Sequence, residues 1–249
     1  MTLREAIRGL GENPLYRLER RRQWRGMRPS LLVLGLLCCA CGHSLAFVLA
    51  PAFAAMAVLQ DKRSRMWEDL LLTRLASEEI VVATLAAALQ IPALLLTVQA
   101  ALVLLALIGG LWHTDAGTSW QECLFRLVVM LPALVTGAVA AASFLVVGGL
   151  IGIRAGLHFG DALGGVASAI LGTLAAGVLT VAAGILTMPR MVSPIQALAP
   201  PRGLLLSPVW SVELWAAMSL EMALLALLNA LLASLLWRAC VRAVRPASS

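Results

Sequence analysis

The chain has 249 residues, is 61% hydrophobic and carries a formal net charge of +6, with a mean hydropathy of +0.91. A soluble domain is usually about 45–50% apolar, so little chain is left for one, and a polytopic membrane protein is expected. Eighteen of the nineteen basic residues are arginine and sit beside apolar runs, which fits membrane orientation and argues against nucleic acid as a partner.

In chain order, residues 1–28 form a basic N-terminal segment with eight arginines and no apolar core, unlike a secretory signal. Within it, Asn13 followed by Pro14 marks a helix start. Asn caps free N–H groups, and Pro suits the first helical position. Leu15, Leu18 and Trp24 offer apolar contacts among many arginines. A helix of this kind lies along a membrane interface, its guanidinium heads near lipid phosphates.

Residues 29–237 read as the transmembrane domain. Pro29–Gln60 is its hardest stretch, with 32 mostly apolar residues. Two full crossings need about 40 residues. A single crossing would put Lys62, Arg63 and Arg65 on the far side, against the positive-inside rule. Two crossings are therefore expected, turning near Gly42-His43-Ser44, with Pro51 bending the second. Cys38, Cys39 and Cys41 lie in this run with no nearby acid and only His43 as a nitrogen ligand. They read as small apolar packing, so no metal site is expected and no disulfide framework is visible.

From Asp61 the chain becomes a charged island, with five acidic and four basic residues in DKRSRMWEDLLLTRLASEEIV. Trp67, Leu70 and Leu71, with Leu75 beyond, give an i, i+3, i+4 stripe flanked by Glu68 and Asp69. Such a short amphipathic helix either rests on lipid or inserts apolar face first into a partner's groove. Ser77 reads as an N-cap, with Glu78 and Glu79 in the first turn.

A span is expected from Glu78 to about Leu111, with Pro92 placed to kink it. WHTDAGTSWQE follows as a polar loop with Trp at both sides. Arg126–Ile153 is the next span, RAGLHFGDA a short turn in which His158 and Asp161 are solvated, and Ala162–Thr187 a Gly/Ala-rich span suited to close packing. Met188–Val212, with five prolines, reads as a loop or re-entrant segment. Glu213–Trp237 is the last span, and residues 238–249 are a tail closed by Arg238, Arg242 and Arg245. Gln90, Gln99 and Asn229 are candidate interhelical hydrogen bonders. Glu221, about two turns inside the last span, either lines a translocation path or pairs with Arg126 or Arg190 near the outer face, or else stays hydrated near the interface. With six spans and both termini cytoplasmic, sixteen of the nineteen basic residues fall inside.

The island then gains a specific meaning. WEDLLLTRLASEEI resembles the cytoplasmic coupling segment of type-II ABC exporter membrane subunits, which typically reads Leu-Glu-x-Leu-Leu-x-Thr-Pro-Leu-Ser-x-x-Glu-Ile. Glu68, Leu70, Leu71, Thr73, Leu75, Glu79 and Ile80 match in register. NPLYRLE resembles the family's Asn-Pro-x-x-x-x-Glu at its elbow helix, with Asn13, Pro14 and Glu19 in place. Arg65-Met66 stand where that family has Gly-Thr, Arg74 where it has Pro, and Thr84 where it often has Lys. The resemblance covers most of the chain as a layout and about thirty residues as motif.

What the resemblance implies is an all-α membrane protein of six transmembrane helices, with an N-terminal interfacial elbow helix and a cytoplasmic coupling helix within 61–79. Trp67, Glu68, Asp69, Leu70, Leu71, Thr73, Leu75 and Glu79 would meet a separate ABC ATPase subunit. No G-x-x-x-x-G-K-[ST] occurs, and the single lysine, Lys62, is not in a Gly-rich loop. ATP and Mg are therefore expected on the partner, with no cofactor in this chain. Six spans resemble half a transporter, so a second membrane subunit, a copy or a paralogue, is implied. The expected location is a bacterial inner (plasma) membrane. Two other classes stand beside this one. An intramembrane enzyme lacks support, since no G-x-S-x-G or H-E-x-x-H is present and only three histidines occur. A secondary transporter or scaffold working without ATP needs no further motif, although no clear internal repeat is visible.

Overall fold

The computed structural model describes residues 12–27, 44–64, 67, 75–113, 120–198 and 212–244. Their regular structure is entirely helical. In chain order the helices are α1 (Pro14–Met27), α2 (Ser44–Arg63), α3 (Ser77–His113), α4 (Trp120–His158), α5 (Ala162–Leu198) and α6 (Val212–Val244). The last four contain 37, 39, 37 and 33 residues. At 1.5 Å per residue each exceeds the ~30 Å hydrocarbon core of a bilayer.

Among the described residues, four stretches are long and apolar enough to cross a membrane: Ser77–Ala106, Val128–His158, Ala162–Thr180 and Trp215–Val244. This is a membrane protein by that pattern. α2 ends in Asp61, Lys62 and Arg63 and is not one of the four. The other expected crossing, in the stretch before α2, falls on residues 28–43, outside the described residues.

Three local readings change. The stretch from Met188, expected as a loop or re-entrant segment, continues α5 without a break to Leu198, through Pro189 and Pro194. Each proline removes one helical hydrogen bond, whereas leaving the helix would free several backbone groups at once. Residues 199–211 lie outside the described residues. Arg238, expected to begin a tail, lies within α6, which runs on to Val244. The physical reason is a second stripe at Trp237, Cys240, Val241 and Val244, an i, i+3, i+4, i+7 pattern. Cys240, Val241 and Val244 are buried. At the island's end, the cap of α3 is Ala76, one residue before Ser77. The Ala76 carbonyl accepts from Ile80 N, and the Glu79 carboxylate accepts from Ala76 N at 2.9 Å. Glu79 thus closes the first turn as the returning half of a capping box.

Two compact units are present. The first comprises Met1–Gln99, Phe144–Ala175 and Leu231–Ser249, so it holds α1, α2 and one end of each later helix. Its main core joins Leu15 of α1, Ala54 and Val58 of α2, Ile80, Val81, Ala83 and Ala88 of α3, Leu150 and Ile153 of α4, and Cys240, Val241 and Val244 of α6. A second cluster brings Ala46 and Ala50 against Ile91, Leu95 and Leu145. Phe47 and Phe144 meet edge to face at 5.2 Å.

Helices α2 and α4 approach closely because small residues line the contact. Gly148, Gly152 and Gly156 recur every four residues on α4. A Cβ at Gly152 would collide with the Pro51 carbonyl and lie 2.8 Å from Ala54 Cβ. A Cβ at Gly156 would lie 2.9 Å from the Ala55 carbonyl. Small residues at such spacing let membrane helices pack backbone against backbone.

The second unit comprises Ala100–Ser143 and Ala176–Ala230. Within it, buried Asn229 on α6 donates to the Ala140 carbonyl at 3.4 Å and to Ser143 Oγ at 3.3 Å on α4. This is the interhelical role expected of Asn229. Large apolar side chains are widely exposed on the described surface, for instance Leu179 at 71% and Leu231 at 65%. Water would penalise such a surface, whereas lipid accepts it.

Candidate functional site

The sequence motifs converge on one region of the first unit, where α1 meets the ends of α2 and α3. Asn13 starts α1 as expected. Its Oδ1 accepts from Leu15 N at 2.9 Å and Tyr16 N at 3.4 Å, and its carbonyl accepts from Arg17 N. Pro14 occupies the first helical position, where it has no N–H to waste. The helix then turns Leu15 and Glu19 inward and leaves Arg20 and Arg21 exposed.

Glu19 is therefore a buried carboxylate, 2% exposed, on a helix rich in arginine. Its partner is Arg22 one turn on, whose Nη1 donates to Glu19 Oε1 at 3.0 Å. The same nitrogen donates to Asp61 Oδ1 at 2.9 Å, at the end of α2. Asp61 is fully buried, and among the described residues its Oδ2 has no hydrogen-bond partner. One guanidinium thus serves two buried carboxylates. Burial, and then the Asp61 charge, push the Glu19 carboxyl up to about 7, with Arg22 opposing. Burial also raises the Asp61 carboxyl above the ordinary range, again opposed by Arg22. Desolvation exceeds the attraction of a single shared cation.

Two further contacts fix this region. The Gln90 amide on α3 donates to the Tyr16 hydroxyl of α1, giving Gln90 the interhelical bond expected of it. Lys62, beside Asp61, extends to the end of α4. Its Nζ donates to the carbonyls of Gly156 at 2.9 Å and Leu157 at 2.5 Å. Those carbonyls belong to the last turn of the helix, where a cation also meets the negative end of the macrodipole. Partial burial lowers the Lys62 ammonium below its usual range. Asp161 is exposed, as expected, and also caps α5: its Oδ2 accepts from Gly164 N at 2.7 Å.

The island enters the same core. Trp67 and Leu75, the two ends of its predicted stripe, pack half-buried against the cluster that contains Leu15, Ile80 and Val241. Glu68, Asp69, Leu70, Leu71 and Thr73, between them, lie outside the described residues. Of the predicted site residues, Trp67 and Leu75 pack on a core that contains Leu15, next to Pro14 in α1, and Ile80, next to Glu79 in α3. Glu221 stands apart, half-buried on α6 in the second unit. The side chains of Arg126 and Arg190, its expected partners, lie outside the described residues. Sequence reading missed Tyr16, Arg22, Asp61 and Lys62 as a connected set. The available signal was a row of charges at the very end of an apolar run, directly after Gln60. Comparison with family models, with curated proteins and with solved structures finds no match for the chain.

Proposed function

We propose that this chain is the membrane subunit of an ATP-binding-cassette transporter, driven by a separate ATPase subunit that docks on the charged island. In this reading α1 is the elbow helix, 61–79 the coupling segment, and residues 29–237 make six crossings with both termini in the cytoplasm of a bacterium. The chain has no ATPase site of its own; ATP and Mg bind the partner.

The observation that carries the reading is mechanical. Trp67 and Leu75 anchor both ends of the island's predicted stripe to a core shared by α1, α2, α3, α4 and the end of α6. A force applied to the island between these anchors passes directly into the helices. The lone lysine strengthens the linkage, since Lys62 ties the start of the island to the α4 terminus. Closure of two ATPase subunits would press two such islands and rock the helices, alternating access to a path between two membrane subunits. The α6 span is little buried and leaves apolar surface for lipid or a second subunit. Glu221, on that helix, is the proposed path residue.

The test is purification of the tagged chain from its own membranes in mild detergent, native beside Glu68→Arg. Trp67 is kept, because it packs on the core. The expected result is an ATPase carrying a Walker motif that accompanies the native chain and is lost from the variant. A native chain that purifies without any ATPase would overturn the proposal and favour an ATP-independent transporter or scaffold.

A further inference from the structure

The Glu19, Arg22 and Asp61 cluster contains a feature that helix docking alone does not require. Two carboxylates are buried, one cation lies between them, and one carboxylate oxygen, Asp61 Oδ2, has no partner among the described residues. Both Glu19 Oε1 and Asp61 Oδ1 accept from the same Arg22 Nη1. The two oxygens are thus within about 6 Å of each other, a distance at which like charges oppose each other's ionisation. With all three groups ionised these residues carry one net negative charge, and the two carboxylates that share it are out of water, which is strongly unfavourable.

Among the described residues, the surrounding charges do not supply the balance. Lys62, next to Asp61, spends its ammonium on the α4 carbonyls. Arg63 on α2, Arg154 on α4 and Arg238 and Arg242 on α6 are exposed. On α3, Glu79 is bonded to the start of its own helix, and Glu78 is half-buried there. Tyr16 meets the uncharged Gln90 amide. Among the described residues, the charges that act on Glu19 are those of Asp61 and Arg22.

We infer that Glu19 and Asp61 form a proton-binding site, holding one exchangeable proton between them, and that this proton fastens α1 to the end of α2. With the proton bound, the cluster is neutral and α1 is docked. As the pH rises the proton leaves to solvent, nothing else is exchanged, and the remaining negative charge loosens the contact. The site would make attachment of the N-terminal helix sensitive to the pH of the compartment it faces. It stands independently of the transporter reading, since it uses only the contacts of the cluster.

The direction follows from linkage. Glu19 has a carboxyl raised from 4.5 to about 7 in the folded chain. Its contribution to stability is full below the unfolded value and is lost as the pH climbs through the folded one. Asp61 is shifted the same way. Stability should therefore fall between mildly acidic and mildly alkaline pH.

The experiment compares the purified full chain in lipid nanodiscs at about pH 6 and about pH 8.5, on either side of the raised carboxyl. Two quantities are read: the melting temperature and the infrared C=O band of a protonated carboxyl. The native chain is expected to lose at least ~4 °C at the higher pH, with the carboxyl band disappearing over the same range. Glu19→Gln, which keeps an acceptor for Arg22 without titrating, should remove both changes and melt at the higher native temperature throughout. Asp61→Asn is the second variant and should do the same. A native chain with no titrating carboxyl band would overturn the proposal, whatever the variants do. So would a band that survives in both variants, or a melting temperature whose pH dependence neither variant alters.

Discussion

Arg22 bears the largest electrostatic responsibility at the residue scale. Its guanidinium bonds two carboxylates that are otherwise out of water. Removing one partner of a buried ion pair costs about 3–5 kcal/mol, because it strands an unpaired charge. Arg22 itself is 32% exposed, which weakens its attraction and draws the expectation toward the low end of that range. Arg22→Met should therefore lower unfolding stability by roughly 2–4 kcal/mol at neutral pH. Arg20→Met, on the exposed face of the same helix, should stay within about 0.5 kcal/mol. Chemical or thermal denaturation in one detergent compares the two directly. Equal losses would mean that the buried cluster contributes nothing beyond ordinary helix content. Local sequence made half of this legible. Asn13 and Pro14 announce the start of α1 because a cap acts within three residues. The bond from Arg22 to Asp61 spans 39 positions, and no local pattern states which of eight N-terminal arginines turns inward.

At the scale of elements, the contact between α2 and α4 depends on the absence of side chains. Gly152 lies under the Pro51 carbonyl, and even one methyl group there collides with backbone that cannot rotate away. Overpacking of this kind typically costs about 1–3 kcal/mol. Gly152→Ala is expected to destabilise the chain by at least that much and to reduce the folded yield. Gly160→Ala, where a Cβ meets nothing within 4 Å, serves as the control and should leave yield unchanged. The measurement is monodisperse yield by size-exclusion chromatography, together with melting temperature. Comparable behaviour of both variants would show that the close approach is dispensable. The same elements show where sequence reading reaches its limit. Apolar length located α3 to α6 well, because a span of that kind is a property of the local chain. Their ends were less legible. Prolines suggested a break that α5 does not make, and the stripe at Trp237, Cys240, Val241 and Val244 extends α6 past its first arginine. Ser77 looked like the cap of α3, yet the carboxylate of Glu79 closes that turn from three residues away.

For the whole molecule, two features set the account. Apolar side chains cover much of the described surface, and Trp67 and Leu75 pack on a core shared by α1, α2, α3, α4 and α6. The first calls for lipid; the second ties the two ends of the predicted stripe to those helices. Trp67 and Leu75 were expected to face a partner, and they face the chain's own core. The predicted stripe is therefore divided: its ends hold the island in place, and the proposed docking falls to Glu68, Asp69, Leu70, Leu71 and Thr73 between them. Motif spacing could not separate these two roles, because both demand apolar residues at helical intervals. The most direct measurement is ATP turnover by the chain reconstituted in vesicles with its co-purified ATPase. The account predicts turnover that depends on assembly with this chain and falls at least about tenfold in Glu68→Arg, a loss of about 1.4 kcal/mol in activation free energy. Turnover by the ATPase that is indifferent both to the presence of this chain and to Glu68→Arg would contradict it.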